Sequence, residues 1–295
     1  MYPIADYTEA RTLEEAIEQL SSNPGLLIIA GGTDLLIKLY HGKLDTVQLL
    51  SLRQIKSLQI ITENGDGSIS IGSLSTFKEI GGHPIVQQGI PILAEAAMAM
   101  GGPQIRSMAT IGGNICNGIP SADSAPALFA LNAILKLQSK EGERAIPIQE
   151  FYRGPGQVDL KQGELLTEIL ITPDNYQHFG GCYIKFSMRK AMDIATLGVA
   201  ATCKLNGTAR FGQVRIGLGV AGPTPLRCTL AEEYAVGKAV NGLTIAEIGK
   251  IAVQSAKSRT SWRASKEYRE HLIEELTQRA LTTAITRAGG VIDYA

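Results

Sequence analysis

One pattern constrains this chain more than any other, and it occurs twice. An apolar run, read as a strand, breaks on two adjacent glycines and then on a short polar residue. The first copy is LLIIAGGTDLL at 26–36, and the second is MATIGGNICNG at 108–118. Paired glycines let the backbone take φ > 0 and let another group touch the main chain. Successive N–H groups in such a turn form an anion-binding concavity. Thr33, Thr110 and Asn114 add side-chain donors. Two such loops together would cradle a diphosphate from both sides, although each taken alone reads by default as a plain tight turn.

The elements around these loops follow an α+β order rather than a regular βαβ alternation. Strands are expected over 26–30 (buried on both faces), 47–50, 60–62, 69–71 (with Gly72-Ser73 as a turn), 134–138 and 165–171. Thr12-Leu13-Glu14-Glu15 reads as a capping box opening a helix over 13–20. A small-residue helix is expected over 90–100 and an apolar one near 126–131. Pro173-Asp174-Asn175 marks a boundary. Beyond it come expected strands at 182–188, 195–205 and 214–221. A second capping box at Thr244–Glu247 should open a helix to about 257, and a long helix should run over 265–287. The division is therefore 1–175, in two lobes of about 1–58 and 59–175, followed by 176–295.

With 295 residues, 44% hydrophobic and 19% charged, the chain has the composition of a globular protein. Its 28 basic and 28 acidic residues cancel, which gives no global attraction to nucleic acid or anionic membrane. The first twenty residues lack the basic and apolar regions of a secretory signal, so a cytoplasmic location is expected. Apolar runs stay short of the ~20 residues of a membrane span. Cys116, Cys182, Cys203 and Cys228 form no CxxC pair. They read as apolar thiols rather than metal ligands. No His/Cys/Asp/Glu cluster suggests a metal site, and no nucleophile–base grammar appears. No catalytic residue is therefore assigned, and any chemistry would belong to a cofactor.

Residues 217–222, Gly-Leu-Gly-Val-Ala-Gly, formally satisfy GxGxxG. A dinucleotide fingerprint needs a helix starting there. Pro223 and Pro225 follow at once and oppose one. Glu232 and Glu233 come too early for a ribose carboxylate, expected ~20 residues on. We therefore read a strand and a turn. Asp123, before an apolar helix, is open to two readings: a helix cap or an acceptor for ribose hydroxyls.

Taken in order, AGGTDLL, IGSLSTF, GGPQIRSMATIGGNICNGIPSADSAPAL, YIKFSMRKAMDIATLGVA, LGVAGPTPLRC and SWRASKEYR resemble the FAD-binding medium subunits of molybdenum hydroxylases. This is the xanthine dehydrogenase and carbon monoxide dehydrogenase family, and the bacterial xanthine dehydrogenase flavin subunits are the most similar. The resemblance covers essentially the whole chain. It implies an FAD-binding domain of the vanillyl-alcohol-oxidase type, followed by a C-terminal α/β domain of the carbon monoxide dehydrogenase flavoprotein type. It also implies an oxidoreductase subunit that takes electrons from the [2Fe–2S] clusters of a small partner. A large partner would hold the molybdopterin, the acceptor would be NAD+, and the complex could dimerise. The alternatives are an accessory FAD-binding protein without turnover, or the flavin subunit of a hydroxylase for CO or another heterocycle.

By the same resemblance, Ala30, Gly31, Gly32, Thr33, Asp34 and Leu35 form the first pyrophosphate loop. Thr110, Gly113 and Asn114 belong to the second, with Ile105 just before it. Asp123 would sit by the ribose or pyrophosphate, Ser75 and Thr76 near the flavin, and Lys185 towards the isoalloxazine. Arg189 and Asp193 would lie on the acceptor side. Met100 stands where animal relatives place a ring-covering aromatic residue. There is no inserted cysteine-rich loop for an extra cluster. No histidine suits a covalent flavin link, so noncovalent FAD is implied.

Overall fold

Three main sheets organise the chain in sequence order. The computed structural model describes residues 2–293; Met1, Tyr294 and Ala295, at the outer limits of the expected domains, lie outside the described residues. The first lobe holds β1 (Ile4–Glu9), α1 (Leu13–Ser22), β2 (Leu26–Ile29), α2 (Leu35–Tyr40) and β3 (Val47–Ser51). Its strands are parallel, in the order β1-β3-β2. As an edge strand, β2 is only half-buried along its length, which corrects the expectation of burial on both faces.

The second lobe is an antiparallel sheet of order β4-β5-β10-β6-β7. Its strands are β4 (Ile61–Glu63), β5 (Ile69–Gly72), β6 (Ile134–Ser139), β7 (Gly142–Pro147) and β10 (Leu165–Ile171), with the hairpin β8 (Tyr152–Gly154) and β9 (Gln157–Val158) between them. Six helices cover it between β5 and β6: α3 (Phe77–Gly82), α4 (Pro84–Gly89), α5 (Pro91–Ala99), α6 (Pro103–Arg106), α7 (Ile111–Cys116) and α8 (Ser124–Ala130); α9 (Ile148–Phe151) follows β7. Proline opens α4, α5 and α6, where its missing N–H costs nothing. Small residues on α5 and α8 let them pack closely around Phe77, Phe129 and Phe151.

The last unit has an antiparallel sheet of β11 (Gly180–Phe186), β12 (Leu197–Asn206), β13 (Arg210–Gly219) and β14 (Leu226–Arg227). One face is backed by α10 (Thr229–Ala235), α11 (Gly242–Val253) and α12 (Lys266–Arg287). The other lies on the helices of the second lobe, and glycine permits this contact. A Cβ on Gly217 would fall 2.2 Å from the Pro126 carbonyl oxygen, and one on Gly181 would fall 3.1 Å from Ile92.

Three local expectations change. The stretch before the second Gly-Gly is no strand. Thr110 makes an isolated bridge to Thr76, and Gly112 and Gly113 lie inside α7. At Thr12 the hydroxyl accepts from the Glu15 N–H, but the Glu15 carboxylate reaches back to the Arg11 N–H, so the box does not close on the cap residue. The α11 cap is Asn241, which accepts from the Thr244 N–H; the helix starts before the supposed box.

The formal GxGxxG lies at the end of β13. No helix follows; Val220 takes φ 64° and β14 comes next. Among the described residues no helix is long and apolar enough to cross a membrane. All four cysteines are free thiols; Cys182, Cys203 and Cys228 are buried and Cys116 is partly so. Burial pushes the Cys203 and Cys228 thiols up to about 12, leaving them unreactive.

Candidate flavin site

The two glycine loops meet. Gly31 packs so closely beneath the second loop that a Cβ on it would lie 1.9 Å from the Met108 carbonyl oxygen. The φ of +71° at Gly32 favours a residue without a side chain. Gly112 and Gly113, by contrast, have helical backbones. A Cβ on Gly112 would strike the Ser73 carbonyl oxygen at 2.6 Å. Gly113 is exposed, and a Cβ on it would lie 3.0 Å from Thr110 Oγ1 and 4.0 Å from the Ala30 Cβ. The first loop needs glycine for φ and close packing, whereas Gly113 leaves open space facing Ala30.

The loops also differ in their donors. In the second, Ile111 N–H donates to Ser75 O, Gly112 N–H to Ser73 O and Gly113 N–H to the Thr110 hydroxyl. These donors are already taken, which corrects the expectation of a second nest. In the first loop the N–H groups of Gly32, Thr33 and Asp34 reach no acceptor among the described residues. Asp34 precedes α2 without capping it. Its Oδ2 is buried, with the Lys38 ammonium 3.2 Å away and no hydrogen bond. Lys38 also donates to Asn117 Oδ1 at 2.7 Å and so ties the first lobe to the end of α7. Leu35 packs into the apolar cluster around Leu39 and Leu49.

Other expected residues play different parts. Ser75 is fully buried, and its hydroxyl donates to Gln59 O. Thr76 caps α3 in a closed capping box with Glu79. That Thr-x-x-Glu pattern was readable in the sequence and was missed. Thr76 still borders a cleft of about 260 Å³, which reaches Ala30, Gly31 and Thr110 and has Arg53 and Lys56 on its rim. Asn114 Oδ1 accepts from the Ser124 hydroxyl at 2.7 Å, which fixes the amide. Ile105 packs against the second-lobe core, and Met100 is buried there.

Asp123 resolves one of its two readings. It stands before α8 but makes no side-chain cap bond. Its Oδ1 accepts from the Tyr183 hydroxyl at 2.9 Å and its Oδ2 from Lys185 Nζ at 2.8 Å. Lys185 Nζ also donates to Ala99 O at 3.1 Å. Burial raises the Asp123 carboxyl above its ordinary value, against the pull of Lys185 and Tyr183. The Tyr183 phenol is raised as well, first by burial and then by the Asp123 charge. Lys185 is therefore half of a buried ion pair rather than a free ammonium. Tyr183 was missed, although strand periodicity places residues 183 and 185 on one face of β11.

The loop between β11 and β12 closes on itself. Arg189 N–H donates to Asp193 Oδ2 at 2.9 Å, and its guanidinium donates to Met192 O at 2.8 Å. The Arg189 side chain is exposed, and its charge lies 3.8 Å from Asp193, so the pair itself is weak. Backbone donors hold the Asp193 carboxylate below the usual range against partial desolvation. Met192 N–H donates to Gly101 O, which docks this loop on the turn before α6.

These groups fit a diphosphate cofactor: a nest of unclaimed N–H groups lies beside a gap that a Cβ would narrow. Comparisons with known proteins agree. Residues 3–173 match the family described as FAD binding domain in molybdopterin dehydrogenase, and 182–284 match the CO dehydrogenase flavoprotein C-terminal domain. The chain is 42% identical to the xanthine dehydrogenase FAD-binding subunit of Escherichia coli O157:H7, over 98% of this chain and 99% of that one. It is 30% identical to the glyceraldehyde dehydrogenase medium chain of Sulfolobus acidocaldarius, over 95% and 98%. Among solved structures, carbon monoxide dehydrogenase from Hydrogenophaga pseudoflava superposes with TM-score 0.92 at 28% identity, covering 97% of this chain and 99% of that one. Quinoline 2-oxidoreductase from Pseudomonas putida gives 0.91 at 26%, covering 98% and 99%.

Proposed function

Because the chain belongs to the FAD-binding subunits of the molybdenum hydroxylase family, we propose that it is the flavin subunit of a xanthine dehydrogenase-type complex with NAD+ as the acceptor. Its partners are a large molybdopterin subunit and a small [2Fe–2S] subunit. The bound FAD supplies the redox chemistry that links one-electron centres to a two-electron acceptor.

The chain's own residues bind and orient. The N–H groups of Gly32, Thr33 and Asp34 receive the diphosphate, and Gly113 leaves it room. The ion pair between Asp123 and Lys185, with Tyr183 behind it, gives a fixed polar group at the junction of the second lobe and the C-terminal sheet. Arg189 and Asp193 border the acceptor's approach. The division at residue 175, with an FAD-binding part in two lobes and a C-terminal part, belongs to the same reading. The break between β10 and β11 supports it.

The observation that carries the proposal is the contact of the two loops with the first loop's N–H groups left unclaimed. The test is co-purification from the native source, with metal analysis, a visible spectrum and xanthine-dependent NAD+ reduction. The isolated chain should take up one FAD in preference to FMN and should not oxidise purines. A chain that retains no flavin, or that oxidises xanthine without partners, refutes the reading.

A further inference from the structure

The segment 257–266, which includes most of SWRASKEYR, has no part in holding FAD in the reading above. It is nonetheless a built surface. Arg269 is 3% exposed and donates to Arg259 O, to Ser261 Oγ at 2.8 Å and to Thr196 O at 3.3 Å. Ser261 N–H donates to Ala264 O, and Lys257 N–H to Ala221 O. The loop is thus fixed from beneath, and what it presents outward is cationic and aromatic. Trp262 is 76% exposed, and the Arg263 guanidinium lies 4.1 Å over its ring.

Among the described residues no carboxylate pairs with Lys257, Arg259 or Arg263; the nearby ion pair is Lys266 to Glu270 at 3.8 Å. Arg263 Nε and Ser258 Oγ are buried without a hydrogen-bond partner. A buried donor left unmatched is costly. Burial, and then the charges of Arg259 and Arg263, push the Arg269 guanidinium below its ordinary value. The concentration of positive charge is therefore felt inside the loop's own support.

Position narrows the ligand. Arg269 holds Thr196, the end of the loop that carries Arg189 and Asp193. The Tyr268 ring packs edge-on against Phe186, on the helix-backed face of β11 opposite Lys185. Through Thr196 the cationic loop adjoins the sheet end from which the loop of Arg189 and Asp193, the proposed acceptor side, leaves. A dinucleotide extends well beyond its nicotinamide ring, so its diphosphate and adenine need an anchor away from the flavin. Guanidinium groups match phosphate oxygens in a forked geometry, and an exposed indole offers a face on which a purine can stack.

Building on the reading of NAD+ as acceptor, we infer that the 257–266 loop is the docking site for the ADP half of the dinucleotide, with Arg259 and Arg263 on the diphosphate and Trp262 against the adenine. The test uses the FAD-loaded full chain and ADP-ribose, which lacks nicotinamide and cannot be reduced. Trp262 is the chain's only tryptophan, so its emission reports binding directly. ADP-ribose should change that emission saturably. Arg259→Ala with Arg263→Ala should weaken binding roughly tenfold and flatten its salt dependence, as expected for lost charge-assisted bonds. In the assembled complex the same variant should raise KM for NAD+ with kcat, dye reduction and FAD content unchanged.

A silent Trp262, or a KM unmoved by the double variant while NAD+ is still reduced, overturns this inference and leaves the flavin-subunit reading intact. Loss of a partner subunit from the variant complex also overturns it, because the loop would then be a protein interface. A wild-type complex that reduces dyes but not NAD+ removes the acceptor reading and this inference together.

Discussion

Gly31 lies directly beneath Met108, so close that a Cβ would come within 1.9 Å of its carbonyl oxygen. Neither residue belongs to the other's lobe, so this contact joins the first lobe to the second beside the proposed cofactor site. Gly31→Ala should force the loops apart, at a cost of about 1–3 kcal/mol as for overpacking elsewhere. A lower melting midpoint together with lost flavin is the expected result. Unchanged stability would mean that the loops separate freely.

Gly113→Val should behave differently. The space at Gly113 is open apart from Thr110 Oγ1 and, at 4.0 Å, Ala30. The side chain would enter the gap proposed for the diphosphate while the core stays untouched. Flavin content should collapse with the melting midpoint of the flavin-free chain little changed. Full occupancy would show that the gap is not the cofactor's.

Lys185→Met tests the buried pair. Removing the ammonium leaves Asp123 charged and buried beside Tyr183, and breaking such a pair costs about 3–5 kcal/mol. Lys185 should therefore prove structural, and denaturant unfolding measures the loss. Asp123→Asn made together with it should recover part of the stability. A double variant no more stable than Lys185→Met alone would contradict the pairing.

Acid stability should depend on Glu164. Its carboxylate accepts from Arg144 Nε at 2.7 Å, and this bond first of all holds it below the usual glutamate range. A depressed folded-state pKa gives stability that is present above the ordinary glutamate value and lost as pH falls through the folded one. Glu164→Gln should lower the melting midpoint at neutral pH, and the gap from wild type should close in acid. A gap that widens as pH falls would reverse the sign and refute the assignment.

Gly217→Ala probes the formal GxGxxG. The new methyl would press on the Pro126 carbonyl at 2.2 Å and separate β13 from α8. Thermal unfolding should show a cost, with flavin affinity of the folded fraction and KM for NAD+ intact. A cofactor-specific loss would restore the dinucleotide reading of that motif.

By itself the sequence determined what local chemistry and order could encode. The two glycine-marked loops, the prolines that forbid a helix after Gly222, the long helix that closes the chain and the ordered motifs of the family were all legible. Their information lies within a few residues, where backbone sterics act. Tertiary structure decided how distant segments share one environment. It turned the second Gly-Gly into a helical turn because Ser73 and Ser75 offer carbonyls to its N–H groups. It left β2 half-buried because the strand fell at a sheet edge. It drew Asp123 away from α8 towards Tyr183 and Lys185, sixty residues on, because a buried carboxylate needs partners of opposite charge or strong donors. Hydrophobic periodicity records which face of an element is buried, but not which polar group of another element will meet it there.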